Sequence, residues 1–182
     1  QSGAGAVSGA SAADSLPGLE LSQAFRTRSF WMIVLAQFLY ASVAAGMVAH
    51  LATHLIDLGY KPAIAASVIS LAFLFTSAGK LVMGVIADRV SAKAALAANF
   101  VLAGIGMLLI FGVQHIAVLI PFVIISGLTL GAPLVLVPMV TVESLGLKRF
   151  GTIAGVAGIA NTLGAAMGPV ITGRIYDISG SY

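Results

Sequence analysis

The chain has no cysteine among its 182 residues, which excludes disulfides and thiolate-held metals. Charge is nearly as scarce. Asp, Glu, Lys and Arg together make up 8% of the sequence, against about 25% in an ordinary soluble domain. Nine basic and six acidic residues leave a net charge of +3, but they form no basic cluster of the kind that binds nucleic acid, so no nucleic-acid partner is expected. A Ser/His/Asp set, a carboxylate pair and a metal-ligand cluster are all missing from the pattern. That argues against an enzyme and implies neither a metal nor a cofactor. Gln1 to Leu16 is rich in Gly, Ala and Ser and has no basic stretch ahead of a hydrophobic one, so it reads as a flexible linker and not as a signal peptide. A chain opening on Gln1 in such a linker is expected to begin partway through a longer protein.

What fills the sequence is apolar residue, 59% of the total. It falls into five runs, about 30–56, 63–87, 94–113, 116–142 and 151–175. A hydrocarbon core about 30 Å thick takes roughly 20 apolar residues in a helix, so each run is long enough to cross. The fold class is an all-α membrane protein with five transmembrane helices in the lipid bilayer. Residues 1–28 precede the membrane domain of residues 29–182. Leu19 to Arg28 could form a brief interfacial helix with Leu19, Leu21 and Phe25 on one side, and Trp31 anchors the start of the first span. Pro62 suits the first turn of the second helix. Pro121, Pro133 and Pro138 lie inside the fourth span, where they bend the helix and free backbone carbonyls that neighbours must satisfy.

Arg26, Arg28, Arg89, Lys93, Lys148 and Arg149 fall on one side of the membrane, and Lys61 and Arg174 on the other. The positive-inside rule puts the first group, and the N-terminus, in the cytoplasm and the C-terminal tail outside. In the fifth span Gly151 and Gly155, Ala154 and Gly158, and Gly164 and Gly168 are small residues four apart, a spacing that lets helices pack closely.

Polar residues within the spans are the candidates for chemistry. Lys80 lies about 8 residues before Asp88, roughly 12 Å of helix from the loop. A charge at that depth is costly and marks a functional candidate. It can bind an anion in a central cavity, snorkel to the interface or join an internal ion pair. His50 and His54 are four apart and share a helix face. They suit a proton site, a substrate contact or simply a polar cavity mouth, and fall short of a zinc ligand set. Gln37, Tyr40, Asn161 and Thr162 can hydrogen-bond a carboxylate or bridge helices. Glu143, Lys148 and Arg149 read as solvated ion pairs in a loop.

The run Gly84-Val85-Ile86-Ala87-Asp88-Arg89, continuing through Ser91 to Lys93, resembles the Gly-x-x-x-Asp-Arg loop of the major facilitator superfamily. The ordered set of Gly146 to Gly151, Gly168-Pro169, Gly173-Arg174-Ile175-Tyr176-Asp177 and Gly180-Ser181-Tyr182 is similar to the monocarboxylate porter branch and its bacterial oxalate–formate-type relatives. Arg28-Ser29-Phe30-Trp31 resembles the start of their seventh helix. The resemblance covers about Arg26 to Tyr182. It implies the second half of a twelve-helix secondary transporter, lacking the first half and the last helix, in a bacterial inner (plasma) membrane. The substrate site of such folds lies between the halves, and the substrate implied is a small organic anion. Lys80 takes the place of an arginine that pairs with the substrate carboxylate, without its bidentate fork. Thr76 stands where some animal members have a proton-coupling aspartate. The resemblance assigns Gly84, Asp88, Arg89 and Lys93 to the cytoplasmic gate, Asp88 facing a helix N-terminus of the missing half; the other reading is a loop that caps the third span. A membrane-embedded binding or sensor module derived from a transporter is the alternative function.

Overall fold

A computed structural model describes residues 16–179. The expected linker up to residue 15 and the last tail residues, 180–182, lie outside the described residues. The elements are α1 (Leu21–Ala24), α2 (Arg28–Asp57), α3 (Pro62–Arg89), α4 (Ala92–Leu109) with a 3₁₀ turn (Ile110–Gly112), α5 (Ile116–Gly131), α6 (Pro133–Leu145) and α7 (Phe150–Ser179). Among the described residues there is no β-strand, only an isolated antiparallel bridge between Gly18 and Gly146. Four helices are long and apolar enough to cross a membrane, and a fifth span results if α5 and α6 are one broken crossing, bent by 41°. The outward faces agree with a lipid solvent: Leu81, Leu108, Phe111 and Val170 are all at least 70% exposed.

Local chemistry sets the helix ends. Thr27 Oγ1 accepts from the Phe30 amide, Pro62 occupies the first turn of α3, and Ser91 Oγ accepts from the Ala94 amide to cap α4. The cap on α4 is therefore Ser91, a residue of the loop expected there. Asp88 and Arg89 belong to the last turn of α3 and Lys93 to the first turn of α4, so the loop between them is shorter than expected.

Two helix pairs form the frame. α2 lies along α7, and α3 along α5, while α4 packs on α5 and α6. Close approach of backbone makes both pairs. A methyl at Gly164 would overlap the Phe38 carbonyl and one at Gly168 the Ser42 carbonyl; across the other seam, Gly79 meets the Leu128 carbonyl and Gly131 the Thr76 carbonyl. This is the small-residue packing that membrane helices use in place of a hydrophobic driving force. Of the spaced pairs in the fifth span, only Gly164 and Gly168 stand in a seam. Gly151, Gly155 and Gly158 face open space.

The core is divided between the two ends of the bundle. At one end Phe30, Met83, Leu96, Leu136 and Ile153 cluster. At the other Leu55, Val68, Val113 and Phe122 do so, with Tyr60 Oη donating to the Val113 carbonyl at 2.8 Å. Residues 17–20 are strapped to the loop between α6 and α7. The Leu19 amide donates to the Leu145 carbonyl and the Leu147 amide to the Pro17 carbonyl, each at 2.9 Å. Gly146 has φ of 84°, a left-handed conformation that favours glycine, and a side chain there would strike Gly18. The expected interfacial helix is thus only the short α1. Leu19 and Leu21 pack against the core, because the strap buries them in protein, and Phe25 stays exposed beside Phe30 and Trp31.

Candidate functional site

The broken helix positions the site. Pro133 has no N–H, so the Thr129 carbonyl, four residues earlier, loses its helical donor. Two side chains from other helices take its place. Tyr40 Oη on α2 donates to the Thr129 carbonyl at 2.9 Å, and Asn99 Nδ2 on α4 donates to the same oxygen at 3.4 Å. Asn99 is fully buried and Thr129 nearly so. The Tyr40 ring lies against Phe100, with centroids 5.7 Å apart.

Beside this node a cavity of about 280 Å³ opens between α2, the α5–α6 break and α7. Gln37, Tyr40 and Asn161 line it, with Pro133, Pro138 and Thr141 along the broken helix. Three of the polar span residues named from sequence therefore share one space. Lys80 does not line it. Half-buried, it reaches the same break from the α3 side, where a methyl at Gly131 would stand 3.1 Å from Lys80 Cγ. Ion pairs among the described residues join Lys93 to Glu143 at 3.7 Å, and both Lys148 and Arg149 to Glu20 at 3.0 Å. Lys80 is in none of these.

His50 is about 15 Å further along α2 from Tyr40 and opens onto a different cavity. That space, about 380 Å³ between α2, α7 and the end of α4, also takes in His54 and Thr172. His50 Nε2 lies 3.1 Å from the Pro169 carbonyl. A carbonyl only accepts, so Nε2 carries the hydrogen. Among the described residues no cluster of three or more His, Cys, Asp or Glu could hold a metal ion. Thr162 is exposed and donates to the Gly158 carbonyl of its own helix.

Paired small-residue packing and a proline-broken crossing suit a membrane helix bundle, and the sequence profile of the Major Facilitator Superfamily matches residues 4–169. The chain belongs to that superfamily. It is also similar to monocarboxylate transporter 13 of Rattus norvegicus, 28% identical over 135 residues, which cover 73% of this chain and 32% of that protein. The chain thus spans about a third of the length of that relative. Its four to five membrane-length helices make it a multi-pass membrane protein of that superfamily.

The residues that the family resemblance assigns to a gate lie in different settings. Asp88 and Arg89 are exposed and Gly84 is half-buried, whereas Lys93 is tied to Glu143. Glu143 is helical, near the end of α6, not in a loop. A carboxylate at the last turn of a helix, where Asp88 sits, meets the negative end of the dipole.

Sequence reasoning missed Asn99. It is an amide within an apolar run, and it sits within reach of the residue four before a proline. Those two facts together were the available signal.

Proposed function

We infer that this chain is part of a secondary transporter that moves small organic anions, of the monocarboxylate kind, by alternating access. The observation that carries the reading is the convergence of Gln37, Tyr40 and Asn161 on one cavity at a break that Lys80 also reaches. A volume of about 280 Å³ is at the small end for ligand sites, which suits a solute of a few heavy atoms. Tyr40 and Asn161 supply donors for a carboxylate, and Lys80, on the α3 side of the break and outside the cavity lining, supplies positive charge nearby. Similarity to a rat monocarboxylate transporter supports the substrate class. A first half and a further helix complete the transporter in this reading, with Asp88 and Arg89 closing the cytoplasmic side against the first half. The strapped, Arg- and Lys-rich end is the cytoplasmic one, in the plasma or bacterial inner membrane. His50 and His54, in the second cavity, serve proton coupling at the external end.

The test is uptake of radiolabelled pyruvate by the intact transporter in proteoliposomes. Lys80→Ala should abolish uptake and Lys80→Arg should retain it, since arginine keeps the charge. Asn161→Ala should raise KM. Uptake by Lys80→Ala with unchanged KM would remove Lys80 from the mechanism. Absence of pyruvate flux in the parent, with pyruvate still bound, would favour a binding module.

A further inference from the structure

One residue at the break is unexplained by packing alone. Asn99 is completely buried, yet its Oδ1 meets no hydrogen-bond donor among the described residues. An orphaned buried acceptor is destabilising. Its Nδ2 makes only a long bond, 3.4 Å, to a Thr129 carbonyl that also holds the shorter one from Tyr40. A leucine would fill such a place without the orphan. Both donors share one carbonyl, so the asparagine can keep that oxygen satisfied if the tyrosine leaves.

Tyr40 has a reason to leave. Its ring lines the cavity, and its hydroxyl has one hydrogen, now given to Thr129. A carboxylate offers only acceptors, so Tyr40 can bind it as a donor only by releasing the Thr129 carbonyl. That oxygen then sits in the bundle interior, where water is scarce and Pro133 supplies no amide. We propose that Asn99 is a positioning residue that holds the Thr129 carbonyl while Tyr40 turns its hydroxyl to an anionic solute. Solute binding and the α5–α6 break are then linked through one exchanged hydrogen bond. The inference rests on the organic-anion reading for its ligand and on geometry alone for the staple.

The experiment measures pyruvate affinity from the thermal shift of the intact protein in detergent, for Asn99→Leu in three backgrounds. In the parent, Asn99→Leu should weaken affinity about five- to ten-fold, the worth of one buried hydrogen bond. With Tyr40→Phe no exchange occurs, and with Pro133→Ala the new amide satisfies Thr129 directly, so in either background Asn99→Leu should change affinity less than two-fold. Equal weakening in all three backgrounds would overturn the proposal, because a merely structural asparagine behaves that way. If pyruvate does not bind the parent, the organic-anion reading fails and the melting temperatures decide the staple. Asn99→Leu should then lower Tm more with Tyr40→Phe than without it, and Pro133→Ala should remove that excess. Additive shifts would sink the staple as well. Asn99→Ala replaces Asn99→Leu if the larger side chain prevents insertion.

Discussion

Replacing Gly168 and Gly155 by alanine puts the same methyl group on the same helix, with opposite expected results. At Gly168 the new Cβ would overlap the Ser42 carbonyl of α2. The obstacle is backbone, so no rotamer change relieves it and α2 must move off α7. Overpacking of this kind costs about 1–3 kcal/mol, and a backbone obstacle belongs at or above the top of that range. Alanine recovers up to about 1 kcal/mol of helix propensity. The net loss is about 2 kcal/mol. At Gly155 a Cβ meets nothing within 4 Å, so only the propensity gain of up to about 1 kcal/mol remains. For a protein of this size each kcal/mol moves Tm by about 2–4 °C. Gly168→Ala should therefore melt about 4–8 °C lower and Gly155→Ala about 2–4 °C higher, by fluorescence-detected gel filtration of the detergent-solubilised protein after heating. Equal shifts, or a Gly168→Ala that melts no lower than the parent, would refute the seam.

The strap should respond to pH with a definite sign. Lys148 and then Arg149 hydrogen-bond the Glu20 carboxylate and hold its pKa below the usual value, so their contribution is present above about pH 4.3 and is lost as pH falls through the lower folded value. Amide exchange at Leu19 and Leu147, corrected for intrinsic rate, should speed up in acid. Glu20→Gln should show the faster exchange at pH 7 already, and an unchanged rate in that variant would count against the ion pairs as the strap's fastening. At the other end, His50→Leu removes the donor to the Pro169 carbonyl and should cost about 1 kcal/mol. His50→Gln, which can donate to the same oxygen, should recover part of it; identical melting of the two would show that the bond contributes nothing.

The spans were legible because lipid demands uninterrupted apolar runs, and few residues besides prolines complicate them. The fourth run, with Pro121, Pro133 and Pro138, announced a bend; that it breaks at Ala132 depends on packing of α4 against both segments. Gln37, Tyr40 and Asn161 could be named as polar groups in spans, but not as neighbours, since Asn161 reaches the other two only through the α2–α7 seam. Glycine spacing identified candidate faces of α7 without telling which face α2 would cover, as Gly151 and Gly155 show. The strap had almost no local signal. It joins residues more than 120 positions apart through backbone groups, whose pairing no side-chain pattern records.

The two glycine seams also say where this molecule can and cannot give way. Carbonyls pressed against a neighbouring backbone leave no rotamers to reshuffle, so α2 with α7, and α3 with α5, must each travel as a stiff shutter. Any relative swing has to occur along the line dividing the shutters. Tyr40 and Thr129 face each other across that line, joined by one side-chain hydrogen bond.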